Sequence, residues 1–141
     1  MNDSKGEQIQ DTVSEFIKHY GVSGLKEALH IYSEMQQEYI CKNKSSIHKL
    51  KIYDIYYLEI REHTIYIHTE YGTYQKYGTL KNELKHLSHY GFMKCNQSCI
   101  VSMQKIQTLQ NNEVILVNHE HLYMSRHYAP TVLMAFSRYQ N

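Results

Sequence analysis

A short polar segment, Asn96-Gln97-Ser98, lies between two apolar runs, and its residue types suit the recognition of another molecule. The side-chain amides of Asn96 and Gln97 each carry a donor and an acceptor on one plane, which is the pairing that an adenine edge offers in the major groove of DNA. Lys94, two residues earlier, supplies a cation that suits a phosphate. An ordinary hydrophilic loop would explain the same residues.

Arg126 is a second candidate for base recognition, because it lies between Ser125 and a predicted C-terminal helix. A guanidinium group can donate two parallel hydrogen bonds to guanine. A surface arginine at a helix terminus is the competing interpretation. On the residues of this segment alone, that simpler interpretation is preferred.

The sequence favours no catalytic or metal-binding function. It contains no glycine-rich phosphate loop, no Gly-x-Ser-x-Gly segment and no His-Glu-x-x-His segment. His119 and His121 fall on one side of a predicted strand, but no third metal ligand is indicated, so a polar strand edge is preferred. Ser98 lies near Cys95 and Cys99 without an identifiable base. We therefore expect no enzyme activity, no metal and no cofactor.

The composition indicates one globular domain of the strand-rich kind. The chain has 141 residues with one Pro, six Gly and fourteen Tyr, and β-branched residues are frequent beyond residue 46. The three Cys lack Cys-x-x-Cys spacing and are expected to be reduced thiols. The N-terminus has no apolar run of the signal-peptide kind, and no segment approaches the about 18 apolar residues of a membrane span. A cytoplasmic protein is expected.

The charge is divided unequally along the chain. Residues 1–38 contain three Lys against seven acidic residues, a balance of −4. Residues 39–141 contain twelve Lys and Arg against seven acidic residues, a balance of +5, and eight of the ten His. This division predicts a basic module, suited to a polyanion such as DNA, that carries an acidic appendage.

The appendage is predicted to be a helical hairpin. Apolar residues fall on one helical face over residues 7–20 and again over residues 23–37, and Gly21-Val22-Ser23-Gly24 breaks the pattern between them. A pair of helices has too little core to be stable alone. It must pack on the following domain, on a copy of itself or on another partner, and its exposed apolar surface favours a homodimer.

Residues 39–141 predict a mainly β domain, in which short apolar runs of strand length are separated by turn residues. Leucines recur at helical spacing from residue 80, which predicts one short helix over about residues 80–89 that Gly91 would end. A C-terminal helix is predicted over residues 128–139, with Pro130 in its first turn.

Four segments of this domain resemble the LytTR family of bacterial DNA-binding domains, and they occur in the family's order. They are Asp54-Ile55-Tyr56-Tyr57-Leu58-Glu59, Gly78-Thr79-Leu80 followed by Leu84, Phe92 through Ser102, and Ser125-Arg126-His127-Tyr128. The resemblance of each segment alone is weak. The four segments occur in the family's order and together span about residues 39–141, which makes the resemblance specific. The family usually has asparagine at the position of Ser102, which puts a local buried polar contact in question rather than the fold.

The resemblance implies an α+β, mainly β fold: an elongated stack of small antiparallel sheets with one short helix. Here the helical hairpin precedes that domain and a C-terminal helix follows it. Many LytTR proteins carry a receiver domain ahead of the DNA-binding part. We expect none here, because residues 1–38 are too few to form one.

The resemblance also implies that three loops contact double-stranded DNA. One loop tip carries Lys94, Asn96 and Gln97, another carries Arg126, and the third is the turn that contains His63.

The implied function is that of a sequence-specific transcriptional regulator, whose loops enter successive major grooves of direct-repeat sites. The alternative is a protein-interaction or sensor module that keeps the fold without tight DNA binding.

Overall fold

The computed structural model describes residues 3–140. The chain divides into two compact units, Met1–Gln37 and Glu38–Asn141. The boundary lies one residue before the predicted one, because the first strand of the second unit already begins at Glu38.

The first unit consists of helix α1, Asp3–Met35, which is broken at Gly21. Gly21 has φ 75° and ψ 174°, a backbone conformation that glycine adopts without the steric cost of a Cβ. The predicted four-residue turn over residues 21–24 is wrong in length, because helical structure continues on both sides of this one residue. A Cβ on Gly24 would lie 2.7 Å from the Cβ of Tyr20, so a glycine is needed there as well. The antiparallel arrangement of the two helical segments stays a prediction.

The second unit contains the strands, and its fold confirms the predicted fold class of small antiparallel sheets with one internal and one C-terminal helix. The strands are β1 Glu38–Lys42, β2 Ile47–Lys51, β3 Ile55–Arg61, β4 Thr64–Thr69, β5 Gly72–Tyr77, β6 Phe92–Asn96, β7 Cys99–Ser102, β8 Ile106–Gln110, β9 Glu113–Leu116 and β10 His121–Tyr123. The helices are α2 Leu80–Leu87 and α3 Ala129–Gln140.

The strands form antiparallel sheets of two, five and three members. Their orders are β1-β2, β5-β4-β3-β7-β6 and β10-β9-β8. Single turns of 3₁₀ helix at Ile52–Asp54 and Met103–Lys105 lead out of β2 and β7. All the strand pairings of the described residues are between sequence neighbours except that of β3 with β7, which joins the first half of the unit to the second.

The five-stranded sheet is covered on both faces, and β3 is its central strand. Successive side chains of a strand point to opposite faces. Leu58 therefore lies in one hydrophobic cluster, with β1, β2, β4 and α2, whereas its neighbour Tyr57 lies in another, with β7 to β9 and α3. Burial on both faces explains why β3 reads as a continuous apolar run rather than an alternating one.

A buried polar group ties α2 and the β1-β2 hairpin to the edge of this sheet. The Glu83 carboxylate of α2 accepts hydrogen bonds from the Tyr39 hydroxyl of β1 and from Lys76 Nζ of β5, the latter at 3.1 Å. Burial and the bond to Glu83 raise the pKa of the Tyr39 hydroxyl well above its ordinary value, so it remains a donor. The buried carboxylate is therefore both hydrogen-bonded and paired with a cation, as burial of a charge requires.

Local sequence signals set the ends of α2. The Thr79 hydroxyl accepts a hydrogen bond from the backbone N–H of Asn82 at 3.2 Å, which is an N-cap. The helix continues as one 3₁₀ turn, Ser88–Tyr90, and ends at Gly91, whose φ of 81° is left-handed. The predicted helix end at Gly91 is confirmed.

None of the described helices combines the length and the apolar character that a membrane crossing requires.

Thr79→Ala is expected to lower the free energy of unfolding by about 1 kcal/mol, because it leaves the first turn of α2 without its side-chain acceptor. Thr79→Ser keeps a hydroxyl at the same position and serves as the matched control. Urea unfolding of both variants, followed by circular dichroism, measures the difference. Equal stability of the alanine and serine variants would show that the cap does not contribute.

Candidate nucleic-acid interface

Two of the three predicted loops lie at the same end of the five-stranded sheet. The turn after β3 consists of Glu62 and His63, and the turn after β6 consists of Gln97 and Ser98. β3 pairs with β7, and the ladder ends in a hydrogen bond from the Ile60 N–H to the Ser98 carbonyl at 2.9 Å. Because Ser98 belongs to the Gln97 turn and Ile60 lies two residues before the His63 turn, this bond brings the two turns together at one end of the sheet.

The third predicted segment, residues 124–128, is held against the outer edge of β6. The Ser125 N–H donates to the Cys95 carbonyl at 3.0 Å, and the Met124 N–H donates to the Asn112 carbonyl at 2.8 Å. Arg126 follows directly and is exposed. The hydrogen bond to Cys95 attaches the Arg126 segment to the residue that precedes Asn96. The segment therefore lies at the base of the Gln97 turn.

Asn96 is occupied by contacts within the protein. Its Oδ1 accepts from the Ser98 N–H at 2.9 Å, and its Nδ2 donates to the Tyr123 carbonyl at 2.8 Å. The first bond closes the turn of the β6-β7 hairpin, and the second attaches that turn to β10. These bonds show that the Asn96 amide holds the loop tip in place, and its predicted contact with DNA stays a prediction.

Gln97 is exposed, and its side chain contacts a residue that the sequence analysis did not single out. The Tyr128 hydroxyl donates to Gln97 Oε1 at 3.1 Å. Lys94 Nζ lies 5.9 Å from the centroid of the Tyr128 ring, a cation–π contact. Tyr128 therefore joins two of the predicted contact residues. It belongs to the fourth LytTR-like segment, but a separation of 31 positions in the sequence hides its contact with Gln97 from any local pattern.

Arg61, which immediately precedes the His63 turn, is a second residue that was not predicted as a contact. Glu62 has φ 58°, and the tight turn leaves His63 exposed. Arg61, at the end of β3, is also exposed, with its guanidinium 4.2 Å from the centroid of the Tyr66 ring. Arg61 also donates to Glu59 Oε1 at 3.0 Å. The sequence Arg61-Glu62-His63 could have indicated this residue, because Arg61 lies two positions from the predicted contact residue His63.

Two buried cysteines, Cys95 and Cys99, flank the tip of the β6-β7 hairpin. Cys95 precedes Asn96 at an irregularity in the β6-β7 pairing, and Cys99 is the first residue of β7. Both belong to the second hydrophobic cluster, and both are free cysteines. The hydrogen bond between the two thiols, together with burial, raises the pKa of Cys99 above its ordinary value. The residues beneath the loop tip are therefore packed into the second hydrophobic cluster.

The histidines near β10 do not form the arrangement that the sequence predicted. His119 lies in a turn with φ 74°, not in a strand, and only His121 belongs to β10. The Asn118 side chain accepts from the Glu120 N–H at 3.1 Å, which bends the chain before β10 begins. His121 contacts Glu113 across the β9-β10 pair. Within residues 3–140, no three metal-binding side chains are grouped.

Exposed amide, guanidinium and imidazole groups therefore lie on neighbouring loops of a β domain, with the Lys94 ammonium group near them. The family described as LytTr DNA-binding domain matches residues 45–137 of the chain. The match covers more than half of the chain, and the protein therefore belongs to the LytTR family of DNA-binding domains.

A solved structure gives the same fold. It is a LytTr DNA-binding domain of a methyl-accepting/DNA response regulator from Bacillus cereus, with a TM-score of 0.62 and 19% sequence identity. The alignment covers 70% of this chain and 94% of that one. At this identity the likeness concerns the fold. No protein of curated function matches the chain.

Asn96→Ala is expected to lower the free energy of unfolding by about 1–3 kcal/mol, because it removes the acceptor for the Ser98 N–H and the donor to the Tyr123 carbonyl. Gln97→Ala removes the neighbouring amide and should stay within about 0.5 kcal/mol of the wild type, as an exposed substitution does. Urea unfolding of the two variants makes the comparison. Similar stability of both would contradict the structural role of Asn96.

Proposed function

We propose that this protein is a sequence-specific transcriptional regulator that reads successive major grooves of direct-repeat DNA sites through its loops. One observation carries the proposal: backbone hydrogen bonds join Ile60, close to the His63 turn, to Ser98 of the Gln97 turn, and join Ser125, next to Arg126, to Cys95 of β6. The membership of the LytTR DNA-binding family gives the partner its class.

The residues divide into base-reading and phosphate-binding groups. Gln97 and Arg126 are exposed, and their amide and guanidinium groups have the planar donors that base edges accept. Lys94 and His63 suit phosphate, with Lys94 held over the Tyr128 ring. Asn96 supports Gln97 from within the turn. Arg61, two residues before His63, is exposed and offsets the charge of Glu59 near this turn.

The N-terminal unit is proposed to join two copies of the protein. It carries the balance of −4 and is therefore a poor partner for DNA. Large apolar side chains of α1 are exposed, including Ile9 at 64%, Tyr20 at 66%, Leu29 at 60% and Tyr32 at 64%. Exposed apolar surface on a helix is typical of a protein–protein contact. A second copy is the simplest partner, and a dimer suits a site made of two repeats.

Gln97→Ala and Arg126→Ala are each expected to weaken binding to a selected site by about 1–3 kcal/mol, with little effect on random duplex. The matched controls are Gln107→Ala in β8 and Arg138→Ala in α3, exposed residues of the same types. A site is first selected from a random DNA library, and fluorescence anisotropy then measures affinity at several salt concentrations.

Two outcomes would contradict DNA reading. Equal losses on selected and random DNA would show that the two residues contact only phosphate. A wild-type protein with no preference over random duplex and no dependence on salt would favour the protein-interaction or sensor alternative, because neutralised phosphates release counterions on binding.

Removal of residues 1–37 is expected to convert a dimer into a folded monomer that keeps its affinity for one repeat and loses cooperative binding to two. Sedimentation equilibrium of both proteins and anisotropy on one-repeat and two-repeat duplexes measure this. A full-length protein that is monomeric at tens of micromolar would refute dimerisation. A truncated protein that fails to fold would show that α1 belongs to the core of the β unit.

A further inference from the structure

The side chain of Gln97 is oriented by a hydrogen bond between its amide oxygen and Tyr128. The Tyr128 hydroxyl donates to Gln97 Oε1 at 3.1 Å, and Gln97 is otherwise exposed. The oxygen and nitrogen of an amide are attached to the same carbon and point in directions about 120° apart, as expected for a planar sp² centre. Tyr128 occupies one of the two lone pairs of this oxygen, and no hydrogen bond among the described residues uses the NH₂ group, so Gln97 offers more donors than acceptors at the loop tip.

The position of Tyr128 is itself fixed. The Tyr128 N–H donates to the Ser125 carbonyl at 3.2 Å, and the Tyr128 carbonyl accepts from the Val132 N–H at 3.1 Å, so the residue lies at the start of α3. Val132 is fully buried in the second hydrophobic cluster. The hydroxyl therefore extends from a packed helix start rather than from a mobile loop.

We infer that Tyr128 is a specificity-determining residue. By orienting Gln97 as a hydrogen-bond donor, it favours a base whose major-groove edge presents only acceptors. Adenine recognition by a glutamine uses the amide as acceptor and donor together, accepting from N6 and donating to N7. Guanine presents two acceptors, N7 and O6, in the major groove. An amide whose oxygen already accepts from Tyr128 keeps one lone pair for adenine N6 and two N–H groups for the two acceptors of guanine, and it therefore matches guanine better than adenine.

This inference rests on the proposed function and refines it. The residue type of Gln97 predicts adenine, whereas the contact with Tyr128 predicts guanine at the base pair that Gln97 reads. Lys94, which lies over the Tyr128 ring, also favours guanine, because its positive charge is near Tyr128, the partner of Gln97, and attracts the acceptor atoms of a base.

The test uses the full chain and three variants: Tyr128→Phe, Gln97→Ala and Tyr123→Phe. Tyr128→Phe removes the hydroxyl but keeps the ring beneath Lys94, so the cation–π contact is preserved. Tyr123 is an exposed tyrosine in β10 and is the matched control. A site selected with the wild-type protein is varied to all four bases at each position, and affinities are measured by anisotropy.

Gln97→Ala first identifies the base pair that Gln97 reads, as the position where the preference among the four bases disappears. At that position the wild type should prefer guanine. Tyr128→Phe should shift the ratio of guanine to adenine affinity toward adenine by about tenfold, the effect of one hydrogen bond of about 1.4 kcal/mol. Tyr123→Phe should leave the ratio unchanged, and all three variants should bind random duplex as the wild type does.

A wild-type preference for adenine at that position, or an unchanged ratio in Tyr128→Phe, would overturn the role of Tyr128 while leaving sequence-specific binding intact. The absence of any position whose preference depends on Gln97 would overturn base reading by Gln97 itself, and this inference with it. A loss of stability in Tyr128→Phe would lower affinity for all four bases alike, so the ratio separates a specificity role from a structural one.

Discussion

The antiparallel pairing of β3 with β7 is the interaction on which the rest of the β unit depends. It places Leu58 opposite Ile100 on one face and Tyr57 opposite Val101 on the other, and each pair fills a different hydrophobic cluster. Burying one such side chain is favourable by about 1.5–3 kcal/mol. A slip of one residue would exchange the two faces. The register is therefore fixed from both sides of the sheet.

The same pairing positions the loops. Its last hydrogen bond joins Ile60, two residues before the His63 turn, to Ser98 of the Gln97 turn, so the relative placement of the two turns follows from the packing of the cores. The Arg126 segment is attached in turn to β6 through the bond from Ser125 to Cys95. Loops held on such a scaffold are largely ordered before a partner arrives, and less conformational entropy is lost on binding.

Local signals in the sequence predicted the local structure well and the contacts between distant residues poorly. The spacing of the leucines and Gly91 defined α2, because capping and periodicity act within a few residues. The strand predicted around His119 was wrong, because the Asn118 side chain bonds to the backbone two residues on and bends the chain. The contact of Tyr128 with Gln97 depends on how α3 packs beside β6, which no local pattern contains.

Asn96 and Gln97 show how folding assigns different roles to adjacent residues of the same chemistry. Residue type alone suggested base pairing for both. In the folded protein the amide of Asn96 bonds to Ser98 and Tyr123, whereas the Gln97 side chain, among the residues that the structure describes, bonds to Tyr128. Chemistry sets what a side chain can bind, and the backbone around it decides which atoms are available.

The electrostatics of the His63 turn depend on one carboxylate. Glu59 lies two residues before Arg61 and would repel a phosphate near the turn if its charge were uncompensated. Its Oε1 lies 3.0 Å from both the Arg61 guanidinium and His68 Nε2. His68 in turn stacks on Tyr57 with ring centroids 4.2 Å apart, which holds it against the second cluster. With a balance of only +5 over residues 39–141, the β unit attracts DNA weakly at long range. On the proposed function, the affinity for DNA that this net charge does not supply would come from the hydrogen-bond donors of the loop tips, beside a neutralised Glu59.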